Sequence, residues 1–380
     1  MSQMNDLKKI ENKIFKSDRF SLSKNEKSEI KDDLKNSSIL ILGAAGSIGS
    51  EFTKRIINYD FKNLILIDKD ENSLTDLNRD INLFFPRYIK KIDYIVLDIT
   101  SSDINEILKT KKISHYFNFA AVKHVRSEEN IESIKYMIKT NSYDFLPSKP
   151  LFLKKFFSIS TDKSCNPKSI LGISKKIMED NLIKYKNKYP HIHVSSTRFA
   201  NVAFSRGSVL EYALKRINQR LPFGIPKNIR RFFINHKEAC NLCLKSMLNQ
   251  SDGAITIPNS NNFEKEIYIY KIIEKILKIK KVKYKFKNKI KNFEKNILQI
   301  QLKDQKNHGQ KNYEIFKEQN EKVKIVNNDN QILILPFVGK KSMNNNYLKF
   351  KDYTKLKLFL KKNFKTYNPS KNIKKLSKEL

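Results

Sequence analysis

The stretch from Ser158 to Lys163 is an apolar strand pattern that ends in three side chains capable of acid–base chemistry. Thr161 supplies a hydroxyl, Asp162 a carboxylate and Lys163 an amine. In a closed cleft, neighbouring charges and desolvation could tune these groups to donate or remove a proton. The same Asp–Lys pair could also be a solvated ion pair, so these residues alone leave both readings open.

A glycine-rich turn at Gly43, Gly46 and Gly49 follows the apolar run Ile39–Leu42. Gly43 permits a sharp turn, Gly46 lets backbone amides approach an anion, and Gly49 lets the next helix pack close to its strand. That helix begins near Ser47, so its positive N-terminal end faces the space over the turn, where a pyrophosphate fits. We interpret the turn as a dinucleotide site, and the alternative is a βαβ unit that binds nothing.

Asp68 ends the second apolar strand, at the place where a dinucleotide's ribose would be held. An acidic side chain roughly 20 residues beyond the glycine turn can accept hydrogen bonds from both ribose hydroxyls. Its charge would repel a 2′-phosphate, so the sequence predicts NAD rather than NADP as the preferred cofactor. Lys69 follows directly and would soften that preference.

A third distinctive stretch runs from Phe119 to Val125. Ala120 and Ala121 are small enough to leave room for a flat ligand at the end of a strand, and Lys123 and His124 would then project into the cleft. Taken alone, a histidine here is better explained as a hydrogen-bonded structural residue.

The elements that must position these residues alternate between strand and helix from Ser37 onward. The predicted strands are Ile39–Leu42, Leu64–Asp68, Tyr94–Asp98, Tyr116–Ala120, Phe156–Ser160 and Val194–Arg198. The helical patterns are Ser50–Asn58, Asn72–Phe84, Asp103–Lys109, Ile131–Lys139 and Lys168–Lys188. This alternation predicts an α/β fold: a Rossmann-type doubly wound parallel sheet with helices on both faces. Ligands in such sheets bind at the carboxyl ends of the strands, where the residues above fall.

Outside this region the alternation weakens, and we divide the chain into four parts. They are an N-terminal helical extension (1–36), a Rossmann domain (37–200), a smaller substrate-binding region (201–348) and a basic tail (349–380). The third part contains a predicted helix at His236–Leu248 and strand-like patches at Val282–Phe286 and Ile332–Val338. The end of the tail is expected to pack poorly.

The charge and composition of the chain exclude few classes of binding partner. The 380 residues include 75 Lys and Arg against 39 Asp and Glu, a formal net charge of +36. Such an excess could indicate nucleic acid, an acidic membrane surface or an anionic ligand. Lysine is spread along the whole chain and no nucleic-acid-binding motif is found, so we attribute the charge chiefly to coding bias and predict no specific nucleic-acid partner.

Targeting and cysteine patterns point to the cytoplasm. The N-terminus lacks the apolar core of a signal peptide, and no apolar run approaches the roughly 20 residues that span a bilayer. Three cysteines cannot form a disulfide framework. Cys240 and Cys243 form a lone CxxC pair without the second pair that a zinc site would need, so no metal is expected.

The motifs together resemble the extended short-chain dehydrogenase/reductase superfamily. The resemblance rests on the loop Gly-Ala-Ala-Gly-Ser-Ile-Gly (43–49), the turn Ala-Ala-Val-Lys-His-Val (120–125) and Ser-Thr-Asp-Lys (160–163). More narrowly, the chain resembles the CapD-like polysaccharide-biosynthesis branch, the UDP-N-acetylglucosamine 4,6-dehydratases. Arg198-Phe199-Ala200-Asn201-Val202 is similar to that branch's Arg-Phe-Gly-Asn-Val. Residues 206–208 and 230–233 also resemble family stretches associated with the sugar nucleotide. The resemblance becomes faint beyond residue 260.

The resemblance implies a specific chemistry. In that family NAD(P)+ oxidises the hydroxyl at sugar carbon 4, water is eliminated across carbons 5 and 6, and the hydride returns to carbon 6. It implies that Asp162 protonates the leaving hydroxyl and that Lys163 is the base at carbon 5. Thr161 would hydrogen-bond near carbon 4, and Lys175 would hold the nicotinamide ribose and favour deprotonation nearby.

The predicted site contains two further sets of residues. The cofactor-binding set is Gly43, Gly46, Ser47, Ile48, Gly49, Asp68, Asp98, Ile99, Ala120, Ala121, Lys123 and Lys175. The substrate-binding set, for a UDP-sugar, is Lys123, His124, Arg198, Asn201, Arg206 and Arg231. Family members commonly form oligomers, so a homo-oligomer is expected.

Two departures from the family pattern matter for activity. Leu171 stands where the superfamily usually has tyrosine, four residues before Lys175, and larger CapD-like dehydratases often carry methionine there. Lys175, Lys123 or a water must then take the proton from the carbon-4 hydroxyl. The segment 141–156 is shorter than the family's helix and loop, and it contains Pro147 and Pro150. The alternatives to a dehydratase are a sugar-nucleotide epimerase and a silent homologue that binds sugar nucleotide.

Overall fold

The computed structural model describes most of the chain. The described residues are 2–15, 18–124, 128, 130–248, 252–259, 266–290, 294, 296–304, 314–326, 331–334 and 349–367. None of the helices in these ranges is long and apolar enough to cross a membrane.

Two helices, α1 (Ser2–Ile14) and α2 (Lys24–Leu34), precede a regular alternation of strands and helices. The alternation runs β1 (Ser38–Leu42), α3 (Ser47–Ile56), β2 (Asn63–Asp68), α4 (Glu71–Phe84), β3 (Ile92–Val96), α5 (Asp103–Thr110), β4 (His115–Asn118), α6 (Ile131–Ser142), β5 (Lys155–Ile159), α7 (Ile170–Lys188) and β6 (His193–Thr197). All six predicted strands are confirmed, and so are the five predicted helices between them.

The chain after β6 forms shorter elements. They are β7 (Asn201–Val202), α8 (Val209–Asn218), β8 (Phe223–Pro226), β9 (Arg230–Arg231), β10 (Phe233–Ile234), α9 (His236–Leu248), β11 (Ile255–Pro258), β12 (Ile267–Tyr268), α10 (Ile269–Ile279), β13 (Tyr284–Lys287), β14 (Leu298–Lys303), β15 (Val323–Val326), β16 (Gln331–Ile334) and α11 (Tyr353–Asn363). Of the predicted strand Ile332–Val338, the first residues belong to β16 and residues 335–338 lie outside the described residues.

The main sheet has nine strands in the order β15-β16-β11-β6-β5-β4-β1-β2-β3. The strands from β11 to β3 are parallel, whereas β16 and β15 are antiparallel additions at one edge. The chain builds outward from β1 in one direction through β2 and β3, and then from β4 in the other. The order therefore reverses between β1 and β4, which is where open α/β sheets bind ligands.

Alternate residues of the central strands enter two hydrophobic cores, one on each face of the sheet. Ile39 and Ile41 of β1 pack on one face with α3 and α9, while Leu40 and Leu42 pack on the other with α7. All five residues of β1 are buried. A strand covered on both faces is a continuous apolar run, and this is why its position could be predicted from the sequence.

A smaller unit packs beside the main sheet. Its three-stranded sheet, in the order β13-β14-β8, shares a core with α8, α10 and the N-terminal α1. The expected boundary at residue 200 does not separate the two sheets, because β11, β15 and β16 return to the main one. Residues 1–36 likewise divide their contacts, since α1 joins the smaller unit and α2 packs on α9.

The C-terminal segment, which packs near α6 and α7, differs from expectation. Residues 349–367, assigned to a basic tail, contain α11, whose Leu356 and Leu360 are buried in one core cluster with α6 and α7. Residues 368–380, expected to pack poorly, lie outside the described residues. The short segment 141–156 still covers its face of the sheet, because Phe145 and Leu153 are buried there.

The two cysteines of the CxxC pair are buried free thiols in α9. Burial raises the pKa of the Cys240 thiol far above its ordinary value. Within the described ranges, no group of three or more His, Cys, Asp or Glu side chains is placed to hold a metal ion.

Candidate active site

The glycine turn requires glycine at two positions for different reasons. Gly43 has φ +70°, and a Cβ there would lie 2.6 Å from the amide nitrogen of Ala120. A Cβ on Gly49 would lie 2.1 Å from the carbonyl oxygen of Gly43. Gly46 is the N-cap of α3 and has no side chain, so the first amides of the helix are not capped by it. The turn can therefore present backbone N–H groups to an anion.

Asp68 lies beside this turn at the carboxyl end of β2. Its carboxylate accepts hydrogen bonds from the backbone amides of Ala45, at 2.9 Å, and Asp70, at 3.1 Å. These two bonds fix the orientation of the carboxylate next to the glycine turn, as a ribose-binding acid requires.

The carboxyl ends of β1, β2, β4 and β5 open into one cavity of about 820 Å³. Eighteen predicted site residues line it: Gly43, Gly46, Ser47, Ile48, Gly49, Asp68, Ile99, Ala120, Ala121, Lys123, His124, Thr161, Asp162, Lys163, Lys175, Asn201, Arg206 and Arg231. Asp98 and Arg198 are not among the lining residues. The fold thus brings most of the predicted set, drawn from distant parts of the chain, into a single space.

Thr161, Asp162 and Lys163 form a connected group at the end of β5. The Asp162 carboxylate accepts a hydrogen bond from the Thr161 hydroxyl at 2.9 Å and one from the Lys163 ammonium at 3.0 Å. Asp162 is only 2% exposed, whereas the Lys163 side chain is 38% exposed. The pair is therefore anchored at its carboxylate and open at its amine, which is not the arrangement of a solvated surface ion pair.

Lys175, on α7, reaches the same cavity from beneath β5. Its ammonium donates a hydrogen bond to the carbonyl oxygen of Ile159 at 2.8 Å. Burial lowers the pKa of Lys175 to about 8, against a smaller opposing effect of Glu179. The amine can therefore gain and lose a proton near neutral pH. Leu171, one turn earlier on α7, also lines the cavity.

Lys123 and His124 project into the cavity from the loop after β4. The Lys123 side chain is open to solvent within this concave space, and its pKa is lowered by desolvation against the cavity walls and by the nearby Arg206. The His124 ring lies against Gly207, where a Cβ would come within 2.1 Å of the ring carbon Cε1. Gly207 therefore leaves room for the histidine.

Arg198 was expected to bind substrate, and the structure places it elsewhere. It is 0% exposed, and its guanidinium donates to both carboxylate oxygens of Glu179, each at 2.7 Å. It also donates to Glu321 at 2.7 and 2.8 Å. A buried guanidinium held by two carboxylates has a structural role, and it does not reach the cavity.

Two other predicted residues lie at the margins of the cavity. Asp98 does not line the cavity, and its carboxylate accepts a hydrogen bond from the Tyr136 hydroxyl at 2.9 Å. Tyr136 lines the cavity in its place. Arg206 lines the cavity, but its guanidinium donates to Asp70 at 3.0 Å and to Ser73 at 2.7 Å. It lies on the side of the glycine turn, where its backbone amide also bonds the Ser47 hydroxyl.

Sequence reasoning missed Tyr136 and Glu314 as lining residues. Tyr136 falls within the predicted helix Ile131–Lys139, and only its contact with a strand-end carboxylate identifies it. Glu314 lies far along the chain, where motif resemblance is faint. Its carboxylate accepts hydrogen bonds from the Asn201 side chain and, at 2.7 Å, from the Phe232 amide. No pattern in the sequence indicates this contact.

Two proteins of similar sequence each match more than half of this chain. The capsular polysaccharide biosynthesis protein CapD of Staphylococcus aureus is 28% identical over 231 residues, which is 60% of this chain and 39% of that protein. The UDP-N-acetylglucosamine 4,6-dehydratase (inverting) of Campylobacter jejuni is 28% identical over 229 residues, 58% of this chain and 66% of the dehydratase. The match thus spans less than two thirds of either relative.

A solved structure shows the same fold. The UDP-glucuronic acid 4-epimerase of Bacillus cereus, in complex with UDP-glucuronic acid and NAD, superposes with a TM-score of 0.56. Its sequence is 20% identical, and the superposition covers 73% of this chain and 89% of the epimerase. At the level of family, the polysaccharide biosynthesis protein family matches residues 39–335, which includes the glycine turn, the Thr161–Lys163 group and Arg231. The chain therefore belongs to the polysaccharide biosynthesis protein family.

Proposed function

We propose that this protein is an NAD-dependent sugar-nucleotide 4,6-dehydratase that converts a UDP-N-acetylhexosamine to its 4-keto-6-deoxy derivative. The observation that carries the proposal is the Thr161–Asp162–Lys163 group, which faces the same cavity as the glycine turn. Elimination of water needs an acid for the leaving hydroxyl and a base at carbon 5. A carboxyl and an amine held at one strand end supply both.

The residues present fit NAD. Glycine at 43 and 49 keeps side chains out of the turn, the start of α3 offers backbone amides to a pyrophosphate, and Asp68 can accept the ribose hydroxyls. When bound, NAD would supply hydride transfer at carbon 4 and carbon 6 of the sugar. Lys175 and Ile99 line the same cavity and would contact the cofactor along its length.

The protein's own groups would carry the protons. Lys163, with its amine open to the cavity, would remove the proton from carbon 5 and later return it. Asp162, hydrogen-bonded to Lys163 and Thr161, would deliver a proton to the oxygen that leaves carbon 6. Since Leu171 cannot accept a proton, the carbon-4 hydroxyl must lose its proton to another group. Lys175 and Lys123 both suit this role, because desolvation lowers the pKa of each amine.

Substrate binding would use Arg231 and Asn201, which both contact Glu314 in the cavity wall. Arg231 lines the cavity with a side chain that is 11% exposed, and Asn201 lies beside it on β7. A guanidinium in a partly closed site is suited to the diphosphate of a UDP-sugar. The epimerase alternative uses the same ketone without elimination, and the Asp162–Lys163 pair favours the dehydratase over it.

The test is incubation of the purified protein with UDP-N-acetylglucosamine and NAD, followed by mass spectrometry. Loss of one water without net NADH formation is expected. An isomer of unchanged mass would indicate an epimerase, and an unchanged substrate would indicate a silent homologue. In the variant Asp162→Asn, elimination should fall by about 100-fold, the usual scale for loss of a general acid, while transient NADH absorbance from carbon-4 oxidation persists. Undiminished dehydration by Asp162→Asn would contradict the role of Asp162.

A further inference from the structure

Glu314 is a buried carboxyl group in the cavity that the mechanism above does not use. Its side chain is 2% exposed, and the groups that bond it closely, the Phe232 amide and the Asn201 side chain, are neutral. Arg231 approaches only to 3.9 Å, from Nε to Oε1, which is beyond hydrogen-bond distance. The two donated hydrogen bonds favour an ionised carboxylate, whereas burial without a closely bonded cation opposes it.

The charged neighbours of Glu314 make ionisation harder. Asp162 lines the same cavity and its negative charge raises the pKa of Glu314, while Lys163 is already bonded to Asp162 at 3.0 Å. Glu266 contributes a further carboxylate, which accepts the Glu314 backbone amide at 3.4 Å. Arg231 and Lys163 oppose these effects from a distance. When two carboxyls share a site, the one with weaker cationic contacts keeps the proton.

Asp162, by contrast, is held in its ionised form, although the proposed mechanism needs it to donate a proton. Its contacts with the Lys163 ammonium and the Thr161 hydroxyl stabilise the carboxylate form. A second carboxyl that holds a proton at neutral pH would remove this conflict. Burial and the negative charge of Asp162 raise the pKa of Glu314 to about 8, against the lowering effects of Lys163, the Phe232 amide and Arg231.

We propose that Glu314 is the proton-holding partner of Asp162 in elimination, a role that rests on the proposed dehydratase function. Glu314 passes its proton to the Asp162 carboxylate as Asp162 protonates the departing oxygen, and the C6–O bond breaks to release water. Lys163 must first release its own proton to solvent; the neutral amine then takes the carbon-5 proton, and the resulting ammonium returns it to carbon 5 when hydride reaches carbon 6. The proton released from the carbon-4 hydroxyl restores the carboxyl pair, so protons balance over one turnover.

The first experiment measures protonation directly and does not depend on activity. Protein labelled with ¹³C at the glutamate carboxyl is titrated by NMR, and the Glu314 signal is assigned by its loss in Glu314→Gln. The midpoint is expected near pH 8, and Asp162→Asn should lower it by removing a negative neighbour. Glu11→Gln is the matched control: a buried carboxyl that bonds His236, outside the cavity and outside the 314–326 segment, whose loss should leave the Glu314 midpoint unchanged. Ionisation of Glu314 at neutral pH would overturn the proposal, whatever the activity.

The second experiment separates proton transfer from a structural role. Glu314→Gln retains an oxygen that can accept from the Phe232 amide, so binding of NAD and UDP-sugar and transient carbon-4 oxidation should survive. Elimination by the variant should be about 100-fold slower than by the parent. The parent should lose activity above about pH 8, where Glu314 gives up its proton, and the residual activity of Glu314→Gln should not show this loss. Glu314→Asp, which restores a carboxyl, should recover part of the rate. Dehydration by Glu314→Gln at the parental rate would overturn the proposal. A parent that binds UDP-sugar without dehydrating it would instead refute the dehydratase function, and the titration alone would then decide whether Glu314 holds the proton.

Discussion

The buried ion cluster around Arg198 makes a quantitative prediction: Arg198→Met should lower the free energy of unfolding by about 3–5 kcal/mol. Methionine fills a similar volume but leaves the carboxylates of Glu179 and Glu321 without the guanidinium that bonds both of them. Removing one partner of a buried ion pair costs this much because the remaining charge is uncompensated. Lys176, which lies 3.8 Å from Glu179 and 3.5 Å from Glu321, can recover only part of the loss.

The pH dependence gives the prediction a second readout. Burial would raise the pKa of Glu179, but the charge and hydrogen bonds of Arg198 outweigh it and bring the pKa down to about 2. A carboxyl whose pKa is lower in the folded state stabilises the fold above its unfolded pKa, and this stabilisation is lost as the pH falls toward the folded value. The difference in stability between parent and Arg198→Met should therefore narrow from neutral pH toward about pH 3.

Urea denaturation at several pH values, combined with calorimetric titration of NAD and UDP, measures both effects. Arg206→Met is the matched control, because its side chain is 57% exposed and its pair with Asp70 is a surface contact. It should cost no more than about 1 kcal/mol of stability. If Arg198→Met left stability unchanged but weakened UDP binding more than Arg206→Met did, Arg198 would be a ligand-binding residue and the structural role would be refuted.

Two further predictions concern the walls of the cavity. Gly49→Ala places a Cβ 2.1 Å from the Gly43 carbonyl oxygen, so the turn must shift at a cost of about 1–3 kcal/mol, and NAD affinity measured by calorimetry should fall about tenfold or more. Gly46→Ala, with its nearest contact at 3.3 Å, should weaken NAD less, and equal affinities would contradict this account of the turn. Leu171→Tyr should be tolerated and should raise the rate of carbon-4 oxidation, followed as transient NADH, if the site lacks a proton acceptor there. A slower oxidation at unchanged NAD affinity would show that Lys175 or Lys123 already accepts the proton of the carbon-4 hydroxyl.

The central sheet could be predicted because its signal is local and repeated. Each strand buried on both faces is a short apolar run, as in Ile39–Leu42, and each is followed by a helical pattern. Parallel strands place their carboxyl ends together, so the glycine turn, Asp68 and the Thr161–Lys163 group had to converge on one edge. This rule of topology, rather than any single motif, explains why eighteen of the predicted site residues line one cavity.

The remaining features depend on contacts between distant parts of the chain. Arg198 ends β6 in the predicted way, but whether its side chain turns toward the cavity or the interior depends on Glu179 and Glu321. Glu321 lies in a segment without a clear sequence pattern, so its ion pair with Arg198 could not be predicted. The strands β15 and β16 were equally hard to assign to the main sheet, since antiparallel strands have no crossover helix to mark them.

The segment 314–326 connects the buried ion cluster around Arg198 with the cavity. Glu314 bonds Asn201 and the Phe232 amide at the cavity, and Glu321 bonds Arg198 in the interior. Between them, Glu318 accepts the backbone amide of Asn166 at 2.9 Å. The segment is thus fastened to the Rossmann core by carboxylates along its length, and its first carboxylate enters the cavity. Arg198 therefore contributes to the site without touching it, because it holds in place the segment that supplies Glu314.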